Sequence, residues 1–394
     1  MDDIFVPKQI MFYVQHLLGI GHLERALRLT RRLQDAGMAV TIVSGGMPYP
    51  HSDAHGANII QLAPVRTADA EFSKLLNQEG KPIDDAWRHH RQTVLLQAFA
   101  NLAPDMLLIE MFPFGRRQFR FELLPLLEAA RKRRPAPLVA CSVRDILVPS
   151  DKPGRTDEAI THARNYFDHI LVHGDANFIR LEESYPAAAE LNGKIVYTGY
   201  VTADTPYAQH PPTGIVGKDE VIISAGGGAV GEALMTAALQ ARALSTQARG
   251  KLWRLLIGRN APDGQRQALQ DKAPEGVVVE TARPDFPQML FNCACSVSQG
   301  GYNTVMDILQ ARTISETPAV IVPFGAARER EQTLRAQALT RAGLAVVVPE
   351  SDLGPASLAA AIDQAMLQNN TARYLPDMNG GAVTARFIQE KLNA

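Results

Sequence analysis

Two short stretches carry side chains spaced for chemistry. The first is Gly19-Ile20-Gly21-His22 with Glu24 and Arg25 behind it, where an apolar run gives way to a helical pattern. Glycines there let the backbone approach a ligand closely, and a histidine at a helix start suits proton transfer near neutral pH. A histidine that merely caps a helix is the plainer reading of so short a pattern. The second stretch runs from Ser298 to Gln332. Gly300 and Gly301 follow the apolar run Cys293 to Val297, where strand becomes helix, so bare backbone N–H groups can face an anion; a diphosphate is the expected occupant. Asp307, in the first turns of that helix, and Glu331 with Gln332, beyond the strand Ala319 to Pro323, are placed to reach ribose and sugar hydroxyls.

Further candidates sit at other strand ends. Gly226, Gly227 and Gly228 in SAGGGAVG follow the first strand of the second half. They line a ligand cleft or form a tight turn for close packing, and a P-loop is excluded because no Gly-Lys-Ser/Thr follows. Arg259 either balances diphosphate charge or is solvated. Glu110, Arg144, Asp145, His173 and Asp175 end strands of the first half, where they line an acceptor pocket or serve as caps and ion-pair partners; a carboxylate among them is a candidate to orient His22. The chain has no DxD, and no His/Cys cluster has metal-ligand spacing, so neither a metal nor a cofactor is expected.

Elements that must position these groups follow from periodicity. The first half alternates strands near Lys8–Gln15, Ala39–Val43, Asp105–Glu110, Leu138–Val143, His169–Val172 and Lys194–Tyr197 with helical patterns, which argues for a parallel sheet covered on both faces. Ala63–Pro82 is a long polar stretch of the kind that binds a variable substrate; its Phe72, Leu75 and Leu76 are read as packing under the loop. The Pro-rich segment Gly199–Gly217 is the expected linker. A second alternation begins at Glu220–Ser224 and continues through Leu252–Ile257, Val277–Glu280, Cys293–Val297, Ala319–Pro323 and Ala345–Val348. The expected division is residues 1–205, 218–375, and a last helix in 376–394 that packs back on the first half.

A chain of 394 residues is long enough for two domains, and its net charge of -1 gives no electrostatic case for nucleic acid. Cys141, Cys293 and Cys295 read as core thiols of a reducing cytoplasm, the last two sharing a face of one buried strand. No signal peptide or membrane span is read, so a cytoplasmic protein with at most peripheral membrane contact is expected.

The run SQGGYNTVMDIL, then PAVIVPF, EQ and AGLAVVV, resembles the donor half of GT-B glycosyltransferases related to the bacterial lipid-II N-acetylglucosaminyltransferases. That resemblance implies an α/β fold of two doubly wound Rossmann-like domains facing an interdomain cleft. It implies donor contacts from Gln299, Gly300, Gly301, Asn303, Thr304, Asp307, Glu331 and Gln332, with the second-half glycine turn and Arg259 beside them and Phe286 near the base. The family usually has glutamate at position 307 and Gln-Gln at 331–332, which leaves the donor sugar open. GIGHLER also resembles the GxGHxxR loop of sugar-nucleotide hydrolases of pseudaminic acid biosynthesis, through Gly19, Gly21, His22 and Arg25. The expected activity is inverting, metal-independent transfer from a nucleotide diphosphate sugar, taken as uridine-linked, to a glycan, lipid-linked or small-molecule acceptor, with His22 as base. Hydrolysis, epimerisation on the same fold, and nucleotide binding without turnover remain the alternatives.

Overall fold

The structure is a computed structural model that describes residues 6–17, 21–48, 56–67, 74–202, 217–225, 231–258, 261–262, 264–324, 330–368 and 374–394. The chain divides into two compact units, Met1–Ala203 with Asn379–Ala394, and Asp204–Met378.

The first unit runs β1 (Gln9–Val14), α1 (Gly21–Asp35), β2 (Ala39–Ser44), β3 (Asn58–Gln61), β4 (Arg66–Thr67), β5 (Leu75–Leu76), α2 (Asp85–Leu102), β6 (Met106–Glu110), α3 (Arg120–Lys132), β7 (Leu138–Arg144), α4 (Arg155–Tyr166), β8 (His169–His173), α5 (Leu181–Ser184) and β9 (Ile195–Tyr197). Its parallel sheet has the order β3-β2-β1-β6-β7-β8-β9. Central strands are apolar almost throughout because both faces are covered. In β1, Met11 and Tyr13 join the core on one side, while Ile10, Phe12 and Val14 meet Leu23, Ala26, Leu29 and Leu33 of α1 on the other. Strand order reverses between β1 and β6. In a doubly wound sheet the carboxyl ends at such a reversal border the ligand crevice.

The second unit runs β10 (Val221–Ser224), α6 (Glu232–Leu244), β11 (Trp253–Ile257), α7 (Gln265–Asp271), β12 (Val277–Thr281), α8 (Phe286–Met289), β13 (Cys295–Ser298), α9 (Tyr302–Arg312), β14 (Ala319–Ile321), α10 (Arg330–Arg341), β15 (Val346–Val347) and α11 (Pro355–Leu367). Its parallel sheet, β12-β11-β10-β13-β14-β15, reverses between β10 and β13, with Ser224 in register with Ser298 at that edge. The final helix, α12 (Gly380–Asn393), lies in the first unit, where Ala385 and Ile388 complete the α1 face of the core. Gly380 donates its N–H to Tyr200 O at 3.0 Å, and any side chain there would overlap Gly199 O.

Three sequence expectations shift. Gly199 to Val201 is packed rather than linking, because it pairs with the start of α12, and Val201 bridges Asn379; residues 203–216 of the expected linker lie outside the described residues. Cys293 precedes β13, its N–H bonded at 3.1 Å to Met289 O in the turn after α8, so only Cys295 lies on the strand; all three thiols are free and buried. Part of the long polar stretch pairs as the antiparallel β4 and β5, with Leu75 packed on the core; Phe72 lies outside the described residues.

Candidate active site

At the carboxyl edge of the first sheet, the start of α1 sets His22 beside the last residue of β6. His22 Nδ1 lies 2.9 Å from Glu110 Oε1, and Arg25, one turn further along α1, donates through Nη2 to the same oxygen. Position 110 is fully buried while the His22 side chain is 18% exposed, so the acid is internal and the ring reaches the surface. Burial alone would push Glu110 up, but Arg25, then His22 and the Ser142 hydroxyl, hold it well below the usual carboxylate range. An ionised carboxylate only accepts, so His22 must present Nδ1–H to it. Nε2 is then the lone-pair nitrogen.

Burial first pushes His22 down to about 4; Glu110 opposes this, while Arg25 and Arg116 add to it. At neutral pH the ring is therefore uncharged and able to take a proton. Arg116 holds a left-handed backbone with φ of 60° and donates through Nε to Gln15 O at 2.6 Å, beyond the end of β1.

The acid is held from its other side as well. Ser142 Oγ donates to Glu110 Oε2 at 2.6 Å, His173 Nε2 lies 2.9 Å from Ser142 Oγ, and His173 Nδ1 lies 3.0 Å from Thr198 Oγ1. All four side chains are buried. Parallel register makes this row: Glu110 is level with Ser142 across β6 and β7, and His173 ends β8. Among the strand-end residues singled out from sequence, Glu110 and His173 enter the row. Asp145 instead accepts from Ile146 N–H and the Tyr200 hydroxyl, and Asp175 accepts from Asn177 N–H.

At the equivalent edge of the second unit, Ser298 ends β13 and Gly301 is the N-cap of α9 with no side-chain cap. Residues Tyr302 to Thr304 thus form the first turn of a helix, whose N-terminus favours an anion. A Cβ on Gly301 would meet nothing within 4 Å, whereas one on Gly300 would lie 3.2 Å from Gln332 O. The loop is therefore seated against the first turn of α10 and open at its tip.

Asp307 sits one turn into α9, half-buried; Asn303 is exposed, Thr304 half-buried and Gln299 buried. Phe286 opens α8, half-buried. Glu331 and Gln332 have internal partners: Glu331 Oε1 accepts from Arg335 Nη2 at 3.0 Å, and Gln332 Oε1 accepts from Phe324 N–H at 3.0 Å. The pair that sequence assigned to a donor sugar thus has internal partners, Glu331 within α10 and Gln332 at the turn after β14.

Arg335, fully buried, was not singled out from sequence. It donates to Gly300 O at 3.2 Å and lies 5.1 Å from the Tyr302 ring centroid, tying the glycine loop to α10. Its spacing from Glu331 is an i,i+4 pair, but nothing in the sequence marks that pair as buried. Among the described residues the buried Ser298 hydroxyl at the same edge has no hydrogen-bond partner. Gly19, Gly226, Gly227, Gly228 and Arg259 lie outside the described residues.

Residues 221–389 match the glycosyltransferase family 28 C-terminal domain, which bears out the resemblance drawn from the second half. The UDP-N-acetylglucosamine--N-acetylmuramyl-(pentapeptide) pyrophosphoryl-undecaprenol N-acetylglucosamine transferase of Brucella abortus (strain S19) is 30% identical over 227 residues, 52% of this chain and 57% of that one. The chain thus spans about half the length of the relatives it matches. Among solved structures, the Acinetobacter baumannii MurG crystal structure aligns with a TM-score of 0.61 at 16% identity, covering 98% of this chain and all (100%) of that one. The structure of LpCGTa in complex with UDP aligns at 0.55 and 13%, covering 98% of this chain and 95% of that chain. Likeness over nearly the whole chain, with two parallel Rossmann-like sheets, gives the fold as GT-B.

Proposed function

We propose that this chain is a glycosyltransferase that moves a sugar from a uridine diphosphate donor to an acceptor hydroxyl with inversion and without a metal or cofactor. The observation that carries the reading is the His22–Glu110 pair: a neutral imidazole whose Nδ1–H is held by a buried carboxylate, leaving Nε2 as a base. Support for a nucleotide-sugar donor comes from the family 28 match over residues 221–389 and from the name of the Brucella relative.

In this reading the acceptor O–H gives its proton to His22 Nε2 as its oxygen attacks the anomeric carbon. The bond from that carbon to the diphosphate oxygen breaks on the opposite face, and the electron pair leaves with the nucleotide. Glu110 stabilises the imidazolium, while Gly300, Gly301 and the amides opening α9 receive the charge developing on the diphosphate. Because the resting ring holds a proton weakly, transfer is concerted with attack. Asp307 takes the ribose hydroxyls.

The relative's name makes a lipid-linked acceptor the first to try, met by a cytoplasmic protein at the membrane surface. No helix among the described residues is long and apolar enough to cross a membrane.

Calorimetric titration with UDP, GDP and dTDP, then incubation with UDP-N-acetylglucosamine with and without a lipid-linked muramyl acceptor, tests the proposal. Selective UDP binding and acceptor-dependent UDP release are expected. No binding of any nucleotide would overturn it. Asp307→Ala should weaken UDP by ~10-fold, the loss of one good hydrogen bond; unchanged affinity would remove Asp307 from the ribose. A second reading, hydrolysis, is favoured by the convergence of His22 and Arg25 of the GxGHxxR pattern on Glu110. Rapid release of free sugar without acceptor would establish it.

A further inference from the structure

The polar row behind Glu110 has a direction that can be read from proton counting alone. Glu110 has only acceptor atoms, and Ser142 has one hydroxyl hydrogen, which the 2.6 Å contact commits to Oε2. Ser142 Oγ can then only accept at 2.9 Å from His173, so His173 carries its hydrogen on Nε2. A neutral His173 leaves Nδ1 as acceptor for the Thr198 hydroxyl at 3.0 Å, which is nearer than that hydroxyl's other acceptor, Val172 O, at 3.4 Å. Burial pushes His173 down to about 3, with Arg25 adding to the effect, so the neutral form is the relevant one.

We infer that Ser142, His173 and Thr198 are positioning residues for His22: their three hydrogen bonds, all donated toward Glu110, fix the carboxylate so that Oε1 faces the ring and the imidazole is locked with its proton on Nδ1. Among the described residues His22 bonds to Glu110 and lies near Arg25, so each of the three acts through the acid. Arg25 also holds Oε1, but without the Ser142 donor Oε2 would seek another partner and turn the carboxylate out of line with the ring. His22 could then place its proton on either nitrogen, and the fraction with Nε2 available as a base would fall. This device rests on the reading of His22 as the base.

The test reads the ring directly. In protein labelled with ¹⁵N-histidine, long-range proton–nitrogen correlation spectra show which ring nitrogen carries hydrogen, with H22Q and H173Q supplying assignments. At pH 7 the wild type should show His22 as the Nδ1–H form, favoured by ~10-fold or more as expected for a charge-assisted bond, and His173 as the Nε2–H form. In S142A and H173L the His22 preference should fall toward parity. H173Q, whose amide nitrogen can take the place of Nε2, should largely restore it.

An unchanged His22 preference in folded S142A would overturn the inference, as would hydrogen on Nδ1 of His173 in the wild type. Should H173L fail to fold, S142A and H173Q still decide the matter. The spectra are independent of turnover: unaltered acceptor-dependent UDP release from UDP-N-acetylglucosamine by H22Q would refute the base role without changing the wild-type tautomers.

Discussion

The first unit holds two buried ion-pair networks at neighbouring strand ends, and they are built to opposite ends. One joins Arg91 of α2 to Glu122 of α3 at 2.8 Å. Every N–H of that guanidinium has an acceptor, among them Gly45 O at 2.9 Å, Ala63 O at 2.7 Å, Gln15 Oε1 at 2.5 Å and the Tyr13 hydroxyl at 3.3 Å. Both side chains of the pair are wholly inaccessible. The other joins Arg25 to Glu110 but ends on His22, a partly exposed ring with one nitrogen in reserve. A buried charge whose bonds are all returned internally can only hold the fold together. One that ends on an open nitrogen can exchange a proton with a ligand.

The closed network should therefore fail as structure. Arg91→Leu strips the buried Glu122 carboxyl of its guanidinium partner, and denaturant unfolding should show a loss of roughly 3–5 kcal/mol. Replacing both partners, as R91M with E122L, should recover much of that loss. Similar losses in the single and double variants would contradict the account of a charge stranded by its missing partner.

A smaller break comes from the loop that feeds the closed network. A Cβ on Gly45 would overlap Arg91 Nη2 and Gln15 Oε1, so Gly45→Ala should cost roughly 1–3 kcal/mol of unfolding free energy. Variant and wild type of equal stability would show that this packing is looser than the contacts imply.

The smallest effect separates the networks by pH. His22 and His173 sit at about 4 and about 3 in the folded chain, below the ~6.5 of an unfolded histidine. Between pH 6.5 and about 4 the unfolded chain binds more protons at these sites, so stability falls as pH falls, by up to roughly 1.4 kcal/mol per pH unit for each histidine. Unfolding titrations from pH 7 to pH 5 should show that slope reduced in H22Q. The slope should persist in the R91M, E122L double variant, because the closed network contains no histidine. An H22Q slope equal to wild type would contradict the buried, neutral assignment.

What the sequence disclosed divides along the same line. The alternation of strands and helices, the glycine loops and the GxGH histidine are local patterns, so both sheets and His22 were legible. Glu110 stood out only as one polar strand end among several. Choosing it over Asp145 or Asp175 needs the strand order, since of β6, β7 and β8 only β6 borders β1. Ser142 and Thr198 gave no signal: a hydroxyl within or just after an apolar strand reads as ordinary strand chemistry until register sets it beside a histidine. Arg91 and Arg335 were invisible for a related reason. Arginines on polar-looking helical turns read as solvent-facing, and only tertiary contacts with Glu122 or with Gly300 and Glu331 show them to be internal.

The central claim is that the open network supplies a base. It is tested most directly in H22Q by measuring UDP affinity calorimetrically together with the rate of UDP release from UDP-N-acetylglucosamine in the presence of the lipid-linked muramyl acceptor. The account predicts UDP affinity within about twofold of wild type and turnover reduced by ~100-fold or more, the usual worth of a general base. Turnover equal to wild type, at the same affinity, would contradict it.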